Sequence, residues 1–200
     1  MMKLLLSGFE PFGIHSVNPS WEVAQRIAAQ PPKGVDVQAK QLPVSYTSAW
    51  PMLKAAIRDY QPDVVLMMGV ASKRTGINFE RVALNLDDSA SADNENTVRT
   101  DSVIRNNGAM AYISTLPVKA MLDATLAIGI EAKVSNSAGT YVCNHTMYEC
   151  LHYLRHRKLL AKACFIHLPA LSDDPSSMPL ADMEKAVRMA IDVIQRTNSD

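Results

Sequence analysis

Residues 63–70, DVVLMMGV, are apolar almost without interruption. A strand with one wet face alternates apolar and polar residues, whereas a strand covered on both faces is apolar throughout. The segment therefore reads as a central strand with a layer packed on each side. Its surroundings say which layers. KLLLSG (3–8) and KACFIHLP (162–169) are short apolar runs of the same kind, and VDVQAKQLPV (35–44) alternates like a strand. Between them lie stretches with helical spacing: 18–30, 48–60, 117–129, 143–157 and 180–196. The first carries helix-start signals, Asn18 as N-cap and Pro19 at the first helical position, and the third is ended by Gly129. INFERVALNL (77–86) reads as extended, and EAKVSNSAG (131–139) as a strand entering a turn. Strands and helices in alternation predict a three-layer α/β/α sandwich with a mostly parallel, twisted central sheet.

Composition bounds the rest. The 200 residues are 48% apolar, enough for one domain, 1–200, around a sizeable core. Twenty basic residues balance twenty acidic ones, so charge gives no reason to expect nucleic acid or a membrane surface as partner. The leucines at 4–6 are too few for a signal-peptide core and run at once into Glu10 and Pro11, and no stretch approaches a membrane span. Cys143, Cys150 and Cys164 are an odd number without paired spacing, which predicts free thiols in a reducing cytoplasm. A nucleotide-binding reading fails because SGFEPFG places bulky residues where a phosphate loop needs glycines, and no G-K-[ST] follows. The polar stretch 87–101 is unusually long for a loop inside a compact domain, which points to a functional, interfacial or mobile segment.

In open α/β sheets, sites gather at the carboxyl ends of the strands. Three segments are expected there: the loop after LLLSG, the turn before Cys143, and His167 at the end of its strand. Cys143 opens a helix, where unpaired N–H groups and the positive dipole end favour a thiolate and could hold an oxyanion. The competing reading is a buried cysteine acting as a small hydrophobe. At about 100° per residue, Cys143 shares a helix face with Met147, Cys150, Leu151 and Leu154. His145, Glu149, His152 and His156 fall on the opposite side, read as the polar outer face, with a metal site as the minor alternative. The base for Cys143 is thus sought in His167, and its orienting carboxylate among Glu80, Asp87, Asp88 and Asp93, which spacing does not rank.

SGFEPFG, FERVALNLDD, SNSAGTYVCNHTMY and FIHLP, in that order, closely resemble the pyroglutamyl peptidases type I, or pyrrolidone carboxyl peptidases, and NPSWEV and STLPVKA extend the resemblance over nearly the whole chain. The resemblance implies a cytosolic α/β/α thiol protease, a homodimer or homotetramer, which removes N-terminal pyroglutamate from peptides and needs neither metal nor organic cofactor. It also implies Cys143 as nucleophile, His167 as general base and acid, and Glu80 as orienting carboxylate. Phe9, Phe12, Asn18, Tyr141 and Val142 are implied to form the lactam pocket. Two positions depart from the family pattern. Val70, in GVASKR, stands where a glutamine is usual, and Ser89–Ala90 stand where Ala–Arg is usual. They leave open two further readings, a thiol amidase with altered acyl specificity and a catalytically weak ligand-binding homologue.

Overall fold

The computed structural model describes residues 1–13, 16–172 and 177–197. In chain order its elements are β1 (Met2–Phe9), α1 (Pro19–Ala29), β2 (Val35–Leu42), α2 (Ala49–Tyr60), β3 (Val64–Val70), β4 (Ile77–Glu80) and β5 (Val82–Leu84). There follow β6 (Asp87–Ser89), β7 (Arg99–Ser102), β8 (Ala111–Ile113), α3 (Val118–Ala127), β9 (Ala132–Ser135), α4 (Val142–His156), β10 (Lys162–Leu168) and α5 (Leu180–Thr197). The central sheet has six strands in the order β2-β1-β3-β10-β4-β9. Every pairing in it is parallel except β10 with β4.

The unbroken apolar runs divide by parity. In β3, Val64, Leu66 and Met68 face one core with Leu4, Leu6, Cys164 and Ile166, where they meet α1 and α5. Val65 and Met67 face the other core with Leu5, Ala163 and Phe165, against α2 and α4. Each leucine or methionine taken wholly out of water contributes about 1.5–3 kcal/mol, so both faces of the sheet are strongly held. The same alternation carries Gly69 and His167, register partners on neighbouring strands, onto the α4 face.

Two details place the site. Asn18 caps α1 as its sequence predicts: its Oδ1 accepts from the Ser20 N–H at 3.1 Å and from the Ser20 hydroxyl at 2.7 Å. That helix start lies hard against β1, because a Cβ on Gly8 would sit 2.5 Å from the Ser20 backbone. β9, in contrast, runs opposite to the parallel block, so residues 136–141 must turn back to reach the edge where β3 ends. Arg74 donates to the Ser137 carbonyl there, at 3.2 Å.

The stretch 87–101 is not a bare loop. Asp87–Ser89 pairs with Arg99–Ser102 as an antiparallel hairpin with an irregular register. This hairpin corrects a second expectation. His145 and Glu149, assigned to the outer face of their helix, are only 5% exposed. Asp87 covers the first, and the second is held by Arg105 at 3.0 Å. Helical spacing identified the side opposite the sheet, but chain remote in sequence lies over it. Among the described residues no three histidines, cysteines or carboxylates gather into a metal-binding group, and no helix is long and apolar enough to cross a membrane.

Candidate active site

The thiol of Cys143 lies over Gly69: a Cβ built on that glycine would be 2.9 Å from Sγ and 2.9 Å from the tip of the Phe165 ring. Phe165 in turn packs against the His167 ring, with centroids 4.8 Å apart. Glycine at 69 is thus what lets α4 approach the sheet beside His167.

Cys143 is the second residue of α4, and Tyr141, at the N-cap, makes no side-chain cap hydrogen bond. His145 is the first residue whose N–H finds a helical acceptor, the Tyr141 carbonyl at 3.0 Å. The N–H groups of Val142, Cys143 and Asn144 therefore lack intrahelical partners, as the first turn of any helix requires. The expectation that this terminus lowers the thiol pKa does not hold in the resting protein. Burial, with the Glu80 charge adding to it, pushes the Cys143 thiol up to about 12, against the opposing pull of Arg74 and the cysteine's own backbone N–H. Cys150 and Cys164 are wholly buried, one in each core, and burial raises both thiols too.

His167 is 4% exposed and its Nδ1 lies 2.8 Å from Glu80 Oε1. Glu80 has no exposure at all, and the antiparallel β4–β10 pairing, Phe165 opposite Glu80, brings it alongside. Arg74 Nη1 donates to the same Oε1 at 2.5 Å, while Oε2 is buried without a partner among the described residues. Of the four carboxylates that spacing left open, Glu80 alone meets His167. Asp87 is held by His145 Nδ1 at 2.8 Å and by Arg99 at 2.7 Å. Asp93 accepts from the backbone N–H groups of Tyr46, Glu95 and Thr97, and Asp88 is exposed.

A cavity of about 290 Å³ opens onto the thiol. Phe9, Phe12, Asn18, Tyr141 and Val142, the five expected pocket residues, all line it with Cys143, and none of its described lining residues is charged. Phe12 packs on Tyr141 at 5.5 Å between centroids, and Tyr141 donates its hydroxyl to the Ala92 carbonyl at 2.8 Å, so the hairpin fixes this wall. Asn18 lines the cavity while its amide is engaged in the helix cap and in a 2.9 Å bond to the Glu10 carbonyl. Sequence reasoning did not find Val17, Val44, Ala170 and Leu171 in the wall, since isolated apolar residues in connections carry no signal. Nor did it single out Arg74, although that residue closes the GVASKR segment in which Val70 departs from the family pattern. Val70 does face the cavity, and Ala90 does not belong to its lining. Arg99, the cross-strand partner of Ser89, brings its guanidinium to Asp87 next door.

A thiol at a helix terminus, a His–carboxylate pair across two neighbouring strands and a small cavity with no charged side chain among its described lining residues, mounted on an α/β/α sheet, are in keeping with the cysteine peptidase class to which the comparisons lead. The family model for pyroglutamyl peptidase matches residues 2–197, and the chain belongs to that family. It is 39% identical over 206 residues to the pyrrolidone-carboxylate peptidase of Erwinia tasmaniensis, covering 100% of this chain and 96% of that one. The corresponding enzyme of Bacillus cereus is 37% identical over the same shares. Among solved structures, the pyrrolidone carboxyl peptidase from Thermococcus litoralis superposes with a TM-score of 0.95 at 33% identity, over 100% of this chain and 96% of that one. The pyroglutamyl peptidase I from Bacillus amyloliquefaciens gives 0.92 at 33%, over 96% and 94%.

Proposed function

We propose that the protein removes N-terminal pyroglutamate from peptides, with Cys143 as nucleophile, His167 as base and then acid, and Glu80 orienting His167. The observation that carries this reading is the cavity beside the thiol: small, apolar and without a charged side chain among its described residues. Its volume lies just below the range of roughly 300–1,000 Å³ that drug-sized ligands occupy, which suits a single flat ring. A lactam is uncharged and packs well between Phe9, Phe12 and Tyr141, whereas a free α-ammonium would be buried there without a counter-charge. The cavity therefore selects a blocked amino terminus by refusing an open one.

The chemistry follows from the proton positions. Burial raises the Cys143 thiol, so attack calls for a base that takes its proton. With Nδ1–H donating to Glu80, the other imidazole nitrogen of His167 is free to take that proton. Sulfur adds to the pyroglutamyl carbonyl, and the unpaired N–H groups at the start of α4 receive the oxyanion. The C–N bond breaks as His167 returns the proton to the leaving amine. Water, deprotonated by His167, then cleaves the thioester and releases pyroglutamate. Release of a fluorogenic amine from its pyroglutamyl amide tests this. Turnover is expected from the intact protein, none from Cys143→Ala, and none on the same amide of glutamine or proline with a free amino terminus. Undiminished turnover by Cys143→Ala, or equal rates on open and blocked amino termini, would overturn the reading.

A further inference from the structure

We propose that Arg74 is a positioning residue of this site, a cation that holds Glu80 for His167 and cancels the effect of the Glu80 charge on the nucleophile. The inference rests on the proposed roles of Cys143, His167 and Glu80 and adds a fourth member to them.

The arrangement poses a problem that these three residues cannot solve alone. A carboxylate orients the imidazole and stabilises the imidazolium, but the same negative charge opposes a thiolate nearby. Here Glu80 is fully buried, so water does not screen it. Among the described residues its side-chain hydrogen-bond partners are His167 Nδ1 and Arg74 Nη1, both on Oε1, at 2.8 and 2.5 Å. Oε2 has none among the described residues, although it is equally buried. A carboxylate left in this position with a neutral imidazole as sole partner would be a buried charge without compensation. Arg74 supplies that compensation from the end of β3, where its own N–H closes a tight turn onto the Ala71 carbonyl at 2.9 Å.

Charge bookkeeping shows what the guanidinium does during attack. At rest the four groups carry one negative charge, on Glu80, and one positive charge, on Arg74. After the proton moves, thiolate, imidazolium, carboxylate and guanidinium balance as two negative and two positive charges. Take Arg74 away, and both states carry one uncompensated negative charge in a buried site. Glu80 raises the Cys143 thiol and Arg74 lowers it, so the two side chains act on the nucleophile in opposite senses. The second guanidinium contact, Nη2 to the Ser137 carbonyl at 3.2 Å, ties the same side chain to the turn that leads into Cys143. One residue thereby links the carboxylate to the segment that delivers the thiol.

Other charged or titratable groups around the carboxylate do not substitute for it. From β10 come His167 and the buried Cys164, whose Sγ points to the Glu80 carbonyl at 3.7 Å. Cys143 comes from α4. On β9, Lys133 is the register partner of Asn78 and is exposed. Arg81, the next residue along, turns its guanidinium to Asn136 Oδ1 at 3.2 Å.

Arg74→Met and Arg74→Lys separate positioning from mere structure. Without the cation, Glu80 acts undiluted on its neighbours. Proton uptake by His167 is then favoured and proton loss by Cys143 disfavoured. Both limbs of the kcat/KM–pH profile on a pyroglutamyl amide should move to higher pH in Arg74→Met, by about one unit. The fall in kcat should be about tenfold or more, with KM little changed. Arg74→Lys should return the limbs towards their original positions, because it restores the charge but not the bond to Ser137. The pH dependence of Cys143 alkylation by iodoacetamide gives a readout that needs no substrate, and its midpoint should rise in Arg74→Met and fall back in Arg74→Lys. Loss of activity with both pH limbs and the alkylation midpoint unmoved would overturn the proposal, as would unchanged kinetics in Arg74→Met. If the intact protein does not turn over pyroglutamyl amides, the functional reading fails, while the alkylation series still decides the role of Arg74.

Discussion

Among the described residues stand two histidine–carboxylate–arginine groups of nearly the same construction, each around a buried carboxylate. In one, His167 and Arg74 share Glu80 Oε1; in the other, His145 and Arg99 share Asp87 Oδ2. Both His–carboxylate distances are 2.8 Å. In both, the second carboxylate oxygen is buried without a partner among the described residues. What differs is the company each keeps. His167 stands on the sheet beside Gly69, over which the Cys143 thiol and the uncharged cavity converge. His145 has its ring edge-on to Tyr46 at 5.7 Å, and Arg99 lies over the same tyrosine at 4.8 Å. Tyr46 also meets the pocket residue Tyr141 edge to face at 5.6 Å. The first group stands at the proposed site of proton transfer, and the second clamps the 87–102 hairpin onto α4 and the pocket wall. A histidine–carboxylate pair is not by itself a site; a nucleophile and a space for substrate make it one.

Breaking the two groups in turn should give opposite phenotypes. Glu80→Gln removes the negative charge that stabilises the His167 imidazolium and leaves only a neutral amide beside the ring, and kcat on a pyroglutamyl amide is expected to fall by about 10²–10⁴-fold. Asp87→Ala should act on stability instead: removing one partner of a buried pair costs about 3–5 kcal/mol, read as a lower urea midpoint, with kcat of the folded fraction within a few-fold of normal. Should Asp87→Ala abolish turnover in protein that remains folded, the second group is part of the chemistry and the contrast collapses.

Gly69→Ala sharpens the contrast from the side of the thiol. The added methyl has no room between Sγ and Phe165, so overpacking should cost about 1–3 kcal/mol and displace the nucleophile, lowering kcat more than KM rises. The smallest expected effect is that of Asn18→Ala. Loss of the α1 cap should cost about 1 kcal/mol of stability, and KM should rise only if the side chain also touches the substrate. An unchanged KM leaves Asn18 as a cap that shapes the wall.

Much of this was legible in the sequence, for reasons that can be named. The doubly buried strands show as unbroken apolar runs, and their parity already sets Gly69 and His167 on one face. Cap chemistry at Asn18–Pro19 marks the start of α1 to the residue. The reversed direction of β9 and the antiparallel β4–β10 pairing were not legible, since strand direction depends on which neighbours a segment finds and leaves no mark on its own residues. Yet that pairing is what singles out Glu80 from the other carboxylates. His145 went astray for a related reason: a helical wheel reports only which side of α4 faces the sheet. It is silent on a hairpin about fifty residues earlier that covers the other side. The Cys143 thiol shows the limit of local electrostatics, because a helix N-terminus is visible in sequence but the burial that overrides it is not.

The central claim is that Cys143, and no other group, carries the acyl half of the substrate. Intact-mass and peptide mass spectrometry of an acid-quenched reaction with a pyroglutamyl ester tests it most directly. A single pyroglutamyl adduct is predicted on the peptide containing Cys143, absent in Cys143→Ala and retained when Asp87 is replaced. An adduct on any other residue, or full turnover with Cys143 blocked beforehand by iodoacetamide, would contradict the account.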